Sequence, residues 1–298
     1  MSVSTSGWVV FLTATELEAS PLLDGLRIRE PSEVAGKKMY LGELDVATDR
    51  FAHATSDATA RDARESIPVA LMVTGCDKVN AAHGLTCVLQ TVCADPALVV
   101  QTGIGGAFAR TRAESRDGEL APGPAVGDVV VATQEAYSDT GTSSPEGWLS
   151  PAEIDLPVAC GSGVETFGVF PLDKELVETA RSAIVERMGG EEGLLVHAGP
   201  CVTASLITGT DEEAQRLIER WGALAESMEG AAAAHVCLLH GIPFLEIRGM
   251  SNLVGHRDRG SWQVEKAVSV AGRAALAAVE GLWEQSRGER PGAGGGER

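Results

Sequence analysis

The chain has no closely spaced cysteine pair: Cys76, Cys87, Cys93, Cys160, Cys201 and Cys237 are scattered and form no CxxC. Structural metal sites need such pairs, and the mostly apolar surroundings read these thiols as buried and reduced rather than as a disulfide framework. The 6 histidines show no ligand spacing, so neither a metal nor a cofactor is expected. Basic residues are few, 24 Lys and Arg against 42 Asp and Glu, for a formal net charge of -18. That sign disfavours nucleic acid and anionic membrane as partners, and spread along the chain it reads as a solubility feature. No uninterrupted apolar run reaches membrane-spanning length, and the opening MSVSTSG lacks the basic and apolar regions of a secretory signal. The expectation is a soluble, cytoplasmic protein. HExxH, GxSxG and the Walker loop are absent, and the glycine-rich stretch after Thr102 is no dinucleotide fingerprint, because Phe108 occupies its final glycine position.

What is present suits one sizeable domain: 298 residues, 44% of them hydrophobic, with 35 glycines available for tight βα turns. Strand-like runs alternate with helical ones. Strands are expected at 8–13, 69–74, 98–102, 129–133, 194–203 and 244–250, and helices near 80–93, 173–188, 211–221 and 263–283. Residues 25–66 read as an edge hairpin and loop. Residues 135–168, rich in Gly, Ser, Thr and Pro, read as a long functional or mobile loop. Strand–helix alternation predicts an α/β fold, a single three-layer domain with a mixed central sheet flanked by helices, over residues 7–285. Residues 1–6 and the Gly-rich tail 286–298 are expected to be disordered.

One stretch organises the rest. In residues 225–252 a carboxylate, Glu229, precedes the small-residue run Ala231, Ala232, Ala233 and Ala234, which favours a closely packed helix stopped by Gly241-Ile242-Pro243. A strand follows, tipped by Ser251 and Asn252. Ligands of open α/β sheets sit at such strand ends, so Glu229 and Asn252 are placed at the two ends of one pocket. Nearer the N-terminus, Ala14-Thr15-Glu16-Leu17-Glu18 reads as a βα junction. Taken alone, Glu16 and Glu18 are carboxylates favoured by a helix N-terminus before they are catalysts. His235 and His240 read as packing or capping residues.

Five pieces now stand in order: residues 14–18, Gly75 to Val79, Gln101-Thr102-Gly103-Ile104-Gly105-Gly106, Val126-Gly127-Asp128-Val129-Val130, and Ser227-Met228-Glu229-Gly230-Ala231 with Arg248-Gly249-Met250-Ser251-Asn252. Together they resemble the purine nucleoside phosphorylase and nucleosidase superfamily, on the branch holding methylthioadenosine/S-adenosylhomocysteine nucleosidase and futalosine hydrolase, over residues 8–283. The resemblance implies that Glu229 holds the ribose hydroxyls, Met228 lies under the sugar, Glu18 orients the attacking water, and Gly105 and Gly106 line the sugar and base site. It also implies a position for stacking on the base at Leu206 and a homo-oligomer, dimer or tetramer, whose neighbour closes the site with residues 135–168. The chemistry fits, since cleavage of an N-glycosidic bond leaves positive charge on the ribose, which a carboxylate stabilises, while a second carboxylate polarises water.

Two departures separate this chain from its relatives. Adenine-specific nucleosidases of the branch carry an aspartate where this chain has Asn252, and an amide donor suits a 6-oxopurine. Phosphorylases of the superfamily carry an arginine where this chain has the neutral Gln101, which favours water over phosphate. The resemblance thus implies hydrolysis of futalosine, a hypoxanthine nucleoside, in the menaquinone route. Arg257, Arg259 or Lys78 is the expected partner of the benzoate at the substrate's far end. The open alternatives are an adenine nucleosidase, a phosphorylase and a non-catalytic nucleoside-binding protein.

Overall fold

The structure, a computed structural model, describes residues 7–47, 64–109, 123–145, 147–161, 164–256 and 258–288. It is a mixed α/β fold, as the alternation predicts. In chain order the elements are β1 (Val9–Thr13), α1 (Glu16–Gly25), β2 (Arg27–Val34), β3 (Lys37–Ala47), β4 (Arg64–Val73), α2 (Lys78–Thr91), β5 (Leu98–Ala107), β6 (Val129–Tyr137), β7 (Thr142–Ser144), β8 (Gly147–Leu149), β9 (Ala159–Gly161), β10 (Val164–Thr166) and β11 (Val169–Pro171). Then come α3 (Lys174–Met188), β12 (Val196–Thr203), α4 (Asp211–Trp221), β13 (Ala225–Ser227), α5 (Gly230–His240), β14 (Phe244–Leu253) and α6 (Val264–Gly288).

A 10-stranded sheet forms the centre, in the order β11-β6-β12-β13-β5-β1-β4-β3-β2. The remaining strand, β14, runs parallel to β5 and antiparallel to β6. Because β6, β12, β13 and β5 are also joined in sequence across the sheet, β14 closes them into a small barrel, and the flat remainder of the sheet continues through β1 and β4. Helices α1, α3 and α6 pack together on one face, and α2 packs on α5 on the other. Strand β1, covered on both faces, carries the unbroken apolar run Val9-Val10-Phe11-Leu12, all buried, and β5 opens on the buried run Leu98-Val99-Val100.

Small residues set the spacing of these layers. Ala231, Ala232, Ala233 and Ala234 of α5 are all buried, so the helix backbone lies close to the sheet. A Cβ on Gly249 would lie 2.1 Å from the Ala267 carbonyl, which is why β14 can lie directly against α6. Three readings are corrected. Residues 103–107 are not a loop after the third strand, because β5 runs on through Ala107, held by β14 on one side and by β13 on the other. Residues 135–168 are not one long loop: they contain the end of β6 and two short hairpins, β7–β8 and β9–β10. The last helix extends to Gly288, past its expected end at 283. The segments 1–6 and 289–298 lie outside the described residues, and no helix among those described is long and apolar enough to cross a membrane.

Candidate active site

A cavity of about 330 Å³ opens where α1, the end of β5, the β13–α5 junction and the end of β14 meet. Glu18, Gly105, Gly106, Met228, Glu229 and Asn252 all line it. Each is delivered by a different local device.

Glu18 is placed by helix capping. Thr15 is the N-cap of α1, and the pair forms a capping box: Thr15 Oγ1 accepts from Glu18 N–H at 3.2 Å, and Glu18 Oε2 accepts from Thr15 N–H at 2.9 Å. Its other oxygen, Oε1, accepts from the Ile104 N–H of β5 at 2.9 Å. A side chain whose sequence context spelled a helix-capping acid is therefore also clamped across to the neighbouring strand and turned into the cavity. Gly103 makes this possible, since a Cβ there would lie 2.4 Å from Glu18 Oε1.

Glu229 is buried at the start of α5 and makes no capping bond there. Its Oε1 accepts from the Asp77 N–H at 3.0 Å, and its Oε2 meets Arg248 Nη2 at 3.2 Å. Burial raises its pKa above the ordinary carboxylate value, against the opposing pull of the Arg248 guanidinium. Arg248 is 1% exposed and also donates from Nε to Glu246 at 2.7 Å and from Nη1 to the Ile104 carbonyl at 3.2 Å. Desolvation works against its charge, but Glu246 and Glu229 outweigh it and keep the guanidinium firmly protonated. The Ile104 peptide thus ties the two catalytic candidates together, donating to Glu18 and accepting from the arginine that holds Glu229.

Asn252, partly buried, accepts at Oδ1 from the Ser251 hydroxyl at 2.8 Å and donates from Nδ2 to its neighbour's carbonyl, Leu253 O, at 2.9 Å. One amide hydrogen is therefore left for a ligand, and the carbonyl, which has two lone pairs, has one of them engaged by Ser251, whose hydroxyl also lies 3.2 Å from the Gly105 carbonyl. Gly106 leaves room for it, as a Cβ there would meet Nδ2 at 3.3 Å.

Leu206 and the proposed cations are not brought to the cavity in the same way. Leu206 is 81% exposed and lies beyond the cavity, whose apolar wall on that side is Ile207. Lys78 is ion-paired with Asp139, and Arg259 is exposed in a short 3-10 helix. Arg257 lies outside the described residues. His235 packs as expected, stacked on Phe170 with its Nδ1 3.2 Å from the Tyr137 hydroxyl. Gln101 is fully buried in β5 and lines no part of the cavity. No cluster able to hold a metal occurs among the described residues.

Sequence reasoning missed Glu226, whose carboxylate lines the cavity and accepts from Thr208 Oγ1 at 2.5 Å. It also missed Trp262, on the wall of the cavity, and Gly103. The signal for Gly103 was in the glycine-rich piece; for Glu226 and Trp262 there was none, because only the β13–β5 pairing and the chain reversal before α6 carry them to the site.

The sequence model of the phosphorylase superfamily matches residues 9–283. The chain belongs to that superfamily. Among its relatives, the futalosine hydrolase of Thermus thermophilus is 36% identical over 211 residues, covering 70% of this chain and 80% of that one. The 5'-methylthioadenosine/S-adenosylhomocysteine nucleosidase of Actinobacillus succinogenes is 29% identical over 237 residues, covering 79% and 89%. The native structure of the Helicobacter pylori futalosine hydrolase superposes with a TM-score of 0.66 at 18% identity, covering 92% of this chain and 97% of that one, a likeness of fold. Both relatives are named as N-glycosyl hydrolases, and this member of the phosphorylase superfamily is an enzyme of that class.

Proposed function

We propose that the enzyme hydrolyses the N-glycosidic bond of futalosine, releasing hypoxanthine and dehypoxanthinyl futalosine, a step toward menaquinone. The observation that carries the reading is the orientation of Asn252. With its carbonyl accepting from Ser251, the amide offers the cavity a donor, which suits N7 or the 6-oxo group of hypoxanthine. Glu229, held by Arg248 and the Asp77 N–H, accepts from the ribose hydroxyls and stabilises the positive charge that develops as the bond from C1′ to the base breaks. Met228 lies against the sugar, and Ile207, rather than Leu206, is positioned to cover the base. Glu18 takes a proton from the water whose oxygen bonds to C1′ as the bond to the base breaks, and the departing base, held by the Asn252 amide, takes a proton at nitrogen from solvent, to which Glu18 releases its own.

Water is favoured over phosphate by charge. Three carboxylates, Glu18, Glu226 and Glu229, line the cavity, and no Lys or Arg does so among the described residues. A phosphate dianion there would face like charge without a partner. Arg257 is assigned the substrate's benzoate, and Ala at that position raises KM for futalosine while leaving inosine unchanged; equal effects on both would remove the assignment. We further place the enzyme in the cytoplasm as a dimer or tetramer, with a neighbour's hairpin segment that follows β6, within residues 135–168, closing the site.

Chromatography of reactions with futalosine, run with and without phosphate, tests the whole reading. Hypoxanthine released at the same rate in both supports it. Release only with phosphate would make the enzyme a phosphorylase, and release of adenine from methylthioadenosine or aminofutalosine instead would overturn the role given to Asn252.

A further inference from the structure

Behind the ribose carboxylate lies a second layer of charge that the reaction as drawn leaves unused. Glu246 of β14 and Glu135 of β6 are both 0% exposed. Glu246 Oε1 accepts from Arg248 Nε at 2.7 Å, with the Ser227 hydroxyl 3.4 Å away. Its carboxyl is pressed onto the first residue of α5: a Cβ on Gly230 would lie 2.1 Å from Oε2. Glu135 Oε2 accepts from Thr203 Oγ1 at 2.7 Å, and that hydroxyl oxygen in turn accepts from the Ala231 N–H of α5 at 2.8 Å. Neither Glu135 Oε1 nor Glu246 Oε2 has a hydrogen-bond partner among the described residues. Burial and then the charge of Glu246 raise Glu135 well above the ordinary carboxyl value, which favours its neutral form. Arg248 is thus a single cation reaching two carboxylates, with Nε on Glu246 and Nη2 on Glu229.

We propose that Glu246 is a positioning residue for the glycosidic cleavage, aiming Arg248 at Glu229; this rests on the role given above to Glu229. The guanidinium is planar, so fixing Nε fixes where Nη2 points. Removing the Nε acceptor frees the fork to rotate and loosens the group that must meet the ribose. Glu246 also sets the charge around Glu229. The titratable and charged groups facing Glu229 are Arg248 and Glu246 from β14, Glu18 from α1, and, before α2, Cys76 and Asp77, the last through its N–H. Those facing Glu135 are Glu246 and Arg248 from β14, Cys201 from β12 and Tyr137 on its own strand.

The test is kcat and KM against pH for the wild type, E246Q, E246V and E135Q, with whichever nucleoside the wild-type enzyme cleaves. E246Q keeps an acceptor for Nε and removes a negative neighbour of Glu229, so kcat at neutral pH is retained while the acidic limb of kcat/KM moves to lower pH. E246V removes the acceptor, and kcat falls on the order of 100-fold with a smaller change in KM, the scale of a misplaced catalytic group. E135Q leaves the Glu246–Arg248 contact in place and retains kcat. An acidic limb that stays in place in E246Q, or a folded E246V that keeps wild-type kcat, would overturn the proposal. Wild-type inactivity toward futalosine would overturn the substrate reading alone, since the variants are compared on the nucleoside that is cleaved.

Discussion

Replacing Asn252 by Asp exchanges the two-hydrogen amide donor at the base end of the cavity for an oxygen that is negatively charged when ionised. In the folded protein Nδ2 lies 2.9 Å from Leu253 O, so an ionised aspartate there would set two acceptors against each other and offer the purine no donor. A donor aimed at a charge that develops during reaction is worth about 2.7–4 kcal/mol when dry. Asn252 is only partly buried, so a discounted ~2–3 kcal/mol applies, a loss of roughly 30- to 150-fold in kcat/KM for futalosine. The loss should shrink on acidification, because a protonated Asp regains a donor. Measuring hypoxanthine release by N252D between pH 5 and pH 8 checks both features. A loss under about threefold at pH 7.5, well below the range set by oxyanion-type donors, would refute the reasoning. So would a loss of equal size at pH 5, since it could not come from the missing proton.

Other outcomes follow from the same geometry. E18A lowers kcat by about 10²–10⁴, the range of a lost general base; it also costs about 1 kcal/mol of stability through the capping box, so thermal melting should show a small fall beside a large kinetic one. G230A forces a Cβ into Glu246 and should destabilise the fold by about 1–3 kcal/mol in urea titration, whereas G209A, where a Cβ meets nothing within 4 Å, should not. Glu135 binds its proton more tightly folded than unfolded. Its contribution to stability is therefore greatest below the ordinary carboxyl value of 4.5 and is lost as pH rises toward the raised folded value. E135Q abolishes that loss, so unfolding free energies of wild type and E135Q should diverge in favour of the variant as pH rises from 4.5.

The sequence by itself determined the alternation of strands and helices, because apolar runs, caps and glycine stops are local. It placed α4 to the residue, Asp211–Trp221, since Thr210 before three acids and Gly222 after Trp221 are complete boundary signals. It also marked Glu18, Met228, Glu229 and Asn252, which the fold gathers around one cavity. What only the tertiary structure decided was partnership. β14 pairs with both β5 and β6 across more than 100 residues of chain, a long-range pairing that no local pattern encodes, and this closure buries Arg248 among Glu229, Glu246 and the Ile104 carbonyl. In the sequence Glu135 and Glu246 are unremarkable acids in two strands. Only where the strands meet in the interior does the charge of Glu246, together with burial, raise Glu135 well above the ordinary carboxyl value, because two bare carboxylates cannot remain charged together without water.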